Sequence, residues 1–174
     1  MTEIAYVTGD ATLPQSSKNT IICHSCNDLG VFGAGFVVPL GERYPQVKEQ
    51  YLTWSKTRIS GITPFGLGEV QFVKINPQLW VANLIGQKGI GFRNGSPVRY
   101  DALHDGFVKV ADFAVTQSAE VVMPRIGCGL GGGDWRIVEK LIRQTFLRKE
   151  VPVIICDLSQ VKKEDPGAGP IFGW

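Results

Sequence analysis

An α/β fold with a mixed central sheet is predicted by three features of this 174-residue sequence. Short runs of β-branched and aromatic residues alternate along the chain with segments whose apolar residues recur every three or four positions, which is typical of strands separated by helices. Two of the runs are separated only by turn residues at Asn76 and Pro77, which predicts an antiparallel pair. Helical connections between the other strands cover both sheet faces. The sequence therefore predicts a three-layer α/β/α sandwich.

Each element follows from its local pattern. The β-branched and apolar runs predict strands over 4–7, 19–26, 69–75, 79–85, 120–123 and 151–157. Helical spacing predicts two helices within 34–58, interrupted near Gly41 and Pro45, and further helices over 97–115 and 134–148. We expect one domain over residues 1–159, followed by a Gly/Pro-containing tail over 160–174.

The composition excludes several classes of protein. A hydrophobic fraction of 44% and a charged fraction of 20% are typical of a globular domain rather than a disordered chain. The formal net charge of +2 and the lack of basic runs argue against binding polyanions through bulk charge. No apolar stretch approaches the roughly 18 residues that a membrane span needs, and the N-terminal MTEIAYVTGD lacks the basic start of a signal peptide. We expect a cytoplasmic monomer that does not contact membranes.

Four cysteines are too few and too unevenly spaced for the disulfide framework of a small secreted domain. Cys23 and Cys26 form a C-x-x-C that is compatible with a redox pair or half of a zinc site. With only two histidines in the chain, a complete zinc site is not expected. Because alternate residues of a strand point to opposite faces, we interpret these two cysteines as small buried core residues, and no metal or cofactor is predicted.

Two glycine-rich loops are the main functional signal. The segments NDLGVFGAGF, residues 27–36, and PRIGCGLGGG, residues 124–133, each follow a predicted strand and precede a predicted helix. Such loops present backbone N–H groups to an anion, and the carboxyl ends of parallel strands meet at one edge of a sheet. The pattern predicts a shared crevice that binds phosphates. A purely structural role, in which the glycines only turn the chain, is the alternative for each loop alone.

The second loop also matches G-x-G-x-x-G at Gly127, Gly129 and Gly132, and a predicted strand ending at Asp157 follows the next helix. This pattern is typical of dinucleotide-binding oxidoreductases. However, the motif falls in the last third of the chain, so too few residues remain for the other strands of such a domain.

Other polar side chains have two interpretations each. His24, on the strand entering the first loop, is either a core histidine or a titratable group at the loop mouth. Asp10 is either a turn residue or an acceptor for a base amino group. Asp134 is either the N-cap of the following helix or an active-site carboxylate. Arg125 either meets phosphate or braces its loop, and His104 is expected at the surface.

Three motifs together resemble one known family. The segments YVTGD, IICHSCNDLGVFGAGFVVPLGERYP and MPRIGCGLGGGDW agree in order and spacing with the macrodomains, which bind ADP-ribose, and the resemblance extends over residues 4–157. HSCN with the first glycine loop and RYP is most similar to the branch of the yeast ADP-ribose 1″-phosphate phosphatase. The segment MPRIGCGL followed by Trp135 is similar to the terminal ADP-ribose protein glycohydrolase branch. The resemblance implies a mixed sheet between two helical layers.

The resemblance also implies roles for individual residues. Asp10 is expected to accept a hydrogen bond from the adenine amino group, and Asn27 to face the distal ribose. The first glycine loop is expected to wrap that ribose and its phosphate, through Gly33, Ala34, Gly35 and Phe36. The second loop is expected to hold the diphosphate, through Ile126, Gly127, Cys128, Gly129 and Leu130.

The catalytic residues of two hydrolytic branches are missing. The lysine and aspartate of the glycohydrolase branch correspond here to Gln87 and Gly131, with Lys88 one residue out of register. The aspartate of another hydrolytic class corresponds to Val37. By contrast, His24 matches the histidine that the phosphatase resemblance marks as catalytic.

The resemblance therefore favours hydrolysis of the terminal phosphate of ADP-ribose 1″-phosphate. His24 would act as acid, base or nucleophile because imidazole titrates near neutral pH, with Asn27 orienting the ribose and Asp134 positioning water. A non-catalytic ADP-ribose reader is one alternative. Removal of ADP-ribose from a protein or nucleic acid is another, if Lys88 or Asp134 has taken over a lost role.

Overall fold

Eight strands and four helices form the part of the chain that the computed structural model describes, residues 2–158. The predicted domain end at 159 and the predicted tail over 160–174 lie outside the described residues. The strands are β1 (Ala5–Thr8), β2 (Thr20–Asn27), β3 (Ile59–Ser60), β4 (Thr63–Pro64), β5 (Val70–Asn76), β6 (Leu79–Gln87), β7 (Glu120–Met123) and β8 (Val153–Asp157). The helices are α1 (Val37–Arg43), α2 (Pro45–Thr57), α3 (Tyr100–Gln117) and α4 (Trp135–Thr145).

Six of the strands form one mixed sheet in the order β1-β8-β7-β2-β6-β5. All neighbours are parallel except β5 and β6, which are antiparallel and joined at Pro77 and Gln78, so the predicted hairpin is confirmed. This order differs from the strand order 3-2-1-4-5-6 of a dinucleotide-binding domain, whose sheet is mostly parallel. The G-x-G-x-x-G match therefore belongs to a different fold.

Helices cover both faces of the sheet, which confirms the predicted three layers. On one face α1 and α2 bury Leu40, Tyr51 and Trp54, and on the other α3 and α4 bury residues such as Phe107 and Ile142. Both apolar layers exclude water from the sheet, and this burial is the main force that stabilises the fold.

The C-x-x-C motif is divided between these two layers. Cys23 packs into the core on the α3/α4 side, whereas Cys26 packs into the core on the α1/α2 side. They lie on opposite sides because residues three apart on a strand point to opposite faces of the sheet. Both thiols are free and buried. The interpretation of the motif as two core residues is confirmed.

Three elements differ from the prediction. The short antiparallel pair β3–β4 is additional. The helix expected from Pro97 begins at Tyr100, because the Val98 amide donates to the Gly131 carbonyl and the Lys88 amide donates to the Pro97 carbonyl. The last predicted helix ends at Thr145 and is followed by a 3₁₀ turn over Leu147–Lys149.

Residues 2–158 contain neither a membrane-spanning helix nor a cluster of metal-ligating side chains. None of the helices there is long and apolar enough to cross a membrane. In the same residues, no three His, Cys, Asp or Glu side chains lie close enough together to hold a metal ion.

Candidate functional site

A cleft of about 570 Å³ lies at the carboxyl ends of β2 and β7, which are neighbours in the sheet. Both glycine-rich loops contribute to its walls. The residues that line it are His24, Ser25, Cys26, Asn27, Val31, Gly33, Ala34, Phe36, Val37, Gln87, Ile90, Gly91, Phe92, Pro124, Arg125, Ile126, Gly127, Gly129, Leu130 and Gly131. The parallel strands thus bring together two loops that are almost 100 residues apart in sequence, as expected for a ligand crevice in such a sheet.

Asn27 holds the first loop in shape. Its side-chain oxygen accepts hydrogen bonds from the amides of Leu29 (3.0 Å) and Val31 (3.2 Å), and its Nδ2 donates to the Val31 carbonyl (2.8 Å). The Tyr51 hydroxyl of α2 donates to the backbone carbonyl of Asn27 at 2.7 Å. The polar atoms of this carboxamide are therefore used inside the loop, and the structure gives Asn27 a role in shaping the cleft wall.

Gly30 lets the same loop lie against α2. Its φ of +77° falls in the left-handed region, and a Cβ there would lie 2.5 Å from Ser55 Oγ. A glycine is required for both reasons.

The second loop is built on close backbone contacts. The Gly133 amide donates to the Gly127 carbonyl at 2.8 Å, and the Gly132 amide donates to the Gly129 carbonyl at 3.1 Å. A Cβ on Gly131 would lie 2.6 Å from the Gly127 carbonyl oxygen. The aspartate that the glycohydrolase branch has at this position therefore does not fit the loop in its present conformation.

Several backbone amides of the two loops have no acceptor among residues 2–158. None of the hydrogen bonds within that range uses the N–H groups of Gly33 and Ala34 in the first loop, or those of Gly127, Gly129 and Leu130 in the second. All five residues line the cleft. Unpaired backbone donors that converge on one cavity are the usual means by which loops of this kind bind anions.

A third glycine-containing segment, residues 88–96, lies beside the second loop and is not among the site residues predicted from the sequence. Phe92 of this segment packs so closely on Gly132 that a Cβ there would lie 2.5 Å from its ring. The Gly89 amide donates to Asp28 Oδ1 at 2.7 Å, which joins the segment to the first loop as well. The signal that could have indicated it is the repeated glycine in KGIGFRNG, since all three glycines of this stretch have positive φ.

His24 lies at the inner end of the cleft and is 1% exposed. Its ring packs against Phe32 and Phe36, with centroids 6.2 Å and 5.8 Å away. Its Nε2 and the Asn83 side-chain oxygen are 2.5 Å apart. Burial lowers the pKa of His24 from 6.5 to about 4, and the hydrogen bond with Asn83 only partly opposes this shift. With a pKa of about 4 this imidazole is uncharged at neutral pH, in contrast to the expectation that it titrates there.

Cys26 is the other nucleophilic group beside His24. Its sulfur lies 4.0 Å from Nδ1 and 3.8 Å from Nε2, and such nearly equal distances place the sulfur beside the ring rather than in line with the Nδ1 lone pair. Burial also raises the pKa of the Cys26 thiol well above its ordinary value. Nucleophilic cysteines require the thiolate form, so this pair is not arranged for cysteine catalysis.

Arg125 lines the cleft but is fully engaged elsewhere. Its Nε and Nη2 donate to the two carboxylate oxygens of Asp157 at 2.7 Å and 2.9 Å. The guanidinium also lies over the rings of Tyr6 and Trp135, at 5.3 Å and 5.1 Å from their centroids. This geometry supports the interpretation of Arg125 as a residue that braces its loop.

Four residues of the predicted site do not line the cleft. Asp10 accepts hydrogen bonds from the Thr12 amide (2.8 Å) and hydroxyl (2.7 Å), and Asp134 accepts one from the Arg136 amide (2.9 Å) as the N-cap of α4. These contacts confirm the turn and N-cap interpretations. Gly35 and Cys128 lie within the two loops without facing the cavity. The predicted roles of these four in binding or catalysis stay predictions. Nine others do line the cleft: His24, Asn27, Gly33, Ala34, Phe36, Ile126, Gly127, Gly129 and Leu130.

Comparison with known proteins places this arrangement in a family. No family model matches the sequence. A protein of unknown function from Bacteroides thetaiotaomicron has a TM-score of 0.85 and 43% sequence identity, over 90% of this chain and 99% of that one. A macrodomain protein from Streptomyces coelicolor has a TM-score of 0.79 and 45% identity, over 89% of this chain and 99% of that one. The chain belongs to the macrodomain family. This confirms the resemblance drawn from the three sequence motifs.

Three further relatives of this macrodomain carry names that differ from one another. The zebrafish chromodomain-helicase-DNA-binding protein 1-like is 30% identical over 153 residues, which are 82% of this chain and only 14% of that protein. An ADP-ribose 1″-phosphate phosphatase from Meyerozyma guilliermondii is 25% identical over 177 residues, which are 88% of this chain and 100% of that protein. A Thermosipho africanus DarTG structure in complex with ADP-ribose shares the fold, with a TM-score of 0.70 and 22% identity, over 95% of this chain and 44% of that one.

Proposed function

We propose that this macrodomain binds ADP-ribose in the cleft between its two glycine loops. The observation that carries the proposal is the set of five unpaired backbone amides, at Gly33, Ala34, Gly127, Gly129 and Leu130, in the walls of one cavity. A diphosphate offers acceptor oxygens on both sides, so it can be bound by both loops at once. The complex of the Thermosipho africanus relative with ADP-ribose supports the same ligand.

The charges around the cleft also favour an anion. No aspartate or glutamate is among the side chains that line it in residues 2–158, so a diphosphate would meet no opposing carboxylate in the wall. The single lining cation, Arg125, is already neutralised by Asp157. Affinity would therefore come from aligned amide dipoles rather than from net positive charge, which suits a specific small ligand better than a polyanion.

Calorimetric titration tests this proposal. We expect ADP-ribose to bind and AMP to bind at least about tenfold more weakly, because one phosphate cannot engage both loops, and a loss of 1.4 kcal/mol is tenfold in affinity. Equal affinities for AMP and ADP-ribose, or no binding of ADP-ribose, would contradict a diphosphate site between the loops.

A second proposal is hydrolysis of the terminal phosphate of ADP-ribose 1″-phosphate. It is favoured by the position of His24, because the titratable side chains that line the cleft in the described residues are His24, Cys26 and Arg125. The thiol and the paired guanidinium are unsuited to proton transfer at neutral pH, which leaves the imidazole. Lys88 and Asp134, on which removal of ADP-ribose from a macromolecule would depend, do not line the cleft. The Meyerozyma guilliermondii relative supports the phosphatase alternative.

In this reaction the uncharged imidazole of His24 would take a proton from water. The water oxygen bonds to phosphorus, the ester P–O bond breaks, and its electron pair leaves with the ribose oxygen, which takes up a proton from solvent. The loop amides would stabilise the charge on the phosphoryl oxygens. A phosphate dianion beside His24 would also raise the pKa of its imidazole from about 4 towards neutrality.

A phosphorus NMR time course with ADP-ribose 1″-phosphate tests the hydrolysis. We expect the monoester signal to be replaced by that of free phosphate, and His24→Ala to slow this by about 10²–10⁴-fold with an almost unchanged dissociation constant for ADP-ribose. Line broadening without turnover would indicate a non-catalytic reader instead. Equal losses of binding and turnover in the variant would make His24 structural.

A further inference from the structure

A chain of three buried polar side chains extends from His24 away from the cleft. His24 on β2 contacts Asn83 on β6, and Asn83 contacts Gln71 on β5, in strands that are neighbours in the sheet. Asn83 is 0% exposed and Gln71 is 6% exposed. Burying a polar group destabilises the fold unless the group is hydrogen-bonded. The hydrogen-bond partners of these side chains therefore determine how each one is oriented.

Backbone carbonyls fix which way both amides point. Gln71 Nε2 donates to the Gln50 carbonyl at 3.0 Å, so its Oε1 is the atom that faces Asn83. Asn83 Nδ2 in turn donates to Gln71 Oε1 at 3.1 Å and to the Val47 carbonyl at 3.3 Å. A carbonyl oxygen can only accept, so reversing either amide would place two acceptors against each other.

The side-chain oxygen of Asn83 is therefore the atom 2.5 Å from His24 Nε2. Because this oxygen can only accept, His24 Nε2 must carry the hydrogen. In an uncharged imidazole the other nitrogen, Nδ1, is then unprotonated. The tautomer of His24 is thus determined by two backbone carbonyls of α2, which act on it through the side chains of Gln71 and Asn83.

We propose that Asn83 is a positioning residue for the hydrolysis: it holds His24 as the Nε2–H tautomer and so leaves Nδ1 as the nitrogen that accepts the proton from water. The inference rests on the proposed phosphatase function of the same site. When Nδ1 takes up the proton, the ring becomes positive, and its hydrogen bond to the Asn83 oxygen becomes a stronger, charge-assisted one. Asn83 would therefore stabilise the state in which the water has lost its proton, without touching the substrate.

The tautomer can be measured directly in the unmodified protein. The chain contains only two histidines, so ¹⁵N-histidine labelling gives two ring systems, which the His104→Gln variant assigns. Long-range ¹H–¹⁵N correlations distinguish the tautomers at pH 7. We expect Nε2–H for His24, whereas an Nδ1–H ring or an equal mixture of tautomers would overturn the inference.

Variants of Asn83 distinguish a role in positioning His24 from a role in stabilising the fold alone. Asn83→Ala removes the acceptor, so we expect a mixture of tautomers, a 10–100-fold lower kcat and a dissociation constant for ADP-ribose within about threefold of the wild type. A matched control is Asn19→Ala, which also removes an amide bonded to a backbone carbonyl, but at the amino end of β2, away from the cleft. The control is expected to leave the tautomer and kcat unchanged.

Asn83→Asp keeps an oxygen opposite Nε2 and nearly the same volume. Its other oxygen faces two acceptors, Gln71 Oε1 and the Val47 carbonyl, so this buried carboxyl must be protonated there, and in that form the variant also serves if the alanine variant does not fold. We expect it to retain the Nε2–H ring and a higher kcat than Asn83→Ala. Loss of Nε2–H in Asn83→Asp, or a loss of ADP-ribose affinity that parallels the loss of kcat, would contradict a positioning role. If the wild type releases no phosphate, the phosphatase proposal fails, and the tautomer measurement still decides separately whether Asn83 orients His24.

Discussion

The Cα of Gly131 lies so close to the backbone of Gly127 that a Cβ on Gly131 would be 2.6 Å from the Gly127 carbonyl oxygen. That carbonyl also accepts the hydrogen bond from the Gly133 amide. The two glycines thus fix the shape of the loop that carries three of the five unpaired amides. No side chain fits at Gly131 without moving this carbonyl, so an aspartate at this position would require a different conformation of the loop.

Gly131→Ala is therefore expected to distort the second loop and to weaken ADP-ribose binding by at least about tenfold, or 1.4 kcal/mol. Gly66→Ala is the matched control, because a Cβ at Gly66 meets no atom within 4 Å and the residue does not line the cleft. Calorimetric titration of both variants measures the effect. Equal dissociation constants for the two variants would show that the loop conformation does not matter for the ligand.

Asn27→Ala is expected to destabilise the protein by about 1–3 kcal/mol, because the amides of Leu29 and Val31 lose their acceptor. ADP-ribose affinity should fall as well, since the loop that carries Gly33 and Ala34 is no longer held. Tyr51→Phe removes the bonds from its hydroxyl to the Asn27 carbonyl (2.7 Å) and Oδ1 (3.1 Å) but leaves the amides of Leu29 and Val31 their acceptor, and it should cost about 1 kcal/mol. Urea unfolding and calorimetry measure both effects. A larger loss of affinity in Tyr51→Phe than in Asn27→Ala would contradict the role given to Asn27.

His24 should make the stability of the protein depend on pH. Its pKa is about 4 in the folded state and ordinarily 6.5, so below pH 6.5 the unfolded chain binds the proton more readily. Stability should therefore fall as the pH is lowered from 6.5 to 4, by about 2–3 kcal/mol between pH 7 and pH 4.5. Urea unfolding at these two values measures the loss. The His24→Gln variant should lose this contribution, whereas a variant of the half-buried His104, His104→Gln, should keep it. Identical pH dependence in both variants would argue against a buried, uncharged His24.

Arg125 and Asp157 are expected to make a coupled contribution to the free energy of unfolding. Each side chain is about one quarter exposed, and the bidentate geometry cannot be reproduced by lysine. Arg125→Lys and Asp157→Asn should each destabilise the protein by about 1–2 kcal/mol, and the double variant by less than the sum. A double-mutant cycle from thermal or urea unfolding measures the coupling. Strict additivity would mean that the ion pair contributes nothing.

The sequence was sufficient to predict the parts of the fold that depend on local patterns. The glycine loops, the β5–β6 hairpin and the N-cap at Asp134 each follow from neighbouring residues, and the structure contains all three. The β3–β4 pair could not be predicted, because two-residue strands have no measurable periodicity. The late start of α3 also depends on a distant partner, the carbonyl of Gly131.

Only the part of the candidate site that the two glycine-rich loops form could be predicted from the sequence. The segment over residues 88–96 reaches the cleft through contacts with Asp28 and Gly132, which lie far away in the sequence. Asn83 gave no signal, since a single asparagine within an apolar strand does not indicate its partner. The low pKa of His24 is likewise a consequence of burial, which depends on the packed rings of Phe32 and Phe36 rather than on the motif HSCN.

Titration of ADP-ribose into ¹⁵N-labelled protein, followed at the backbone amides, shows whether the ligand binds between the two glycine loops. We expect the largest shifts at Gly33, Ala34, Gly127, Gly129 and Leu130, whose amides line the cleft and have no acceptor in residues 2–158. The surface groove beside His104 and Gln144 serves as an internal reference, and its amides should not move. Unchanged loop amides at saturating ADP-ribose, or shifts confined to that groove, would exclude binding between the two loops.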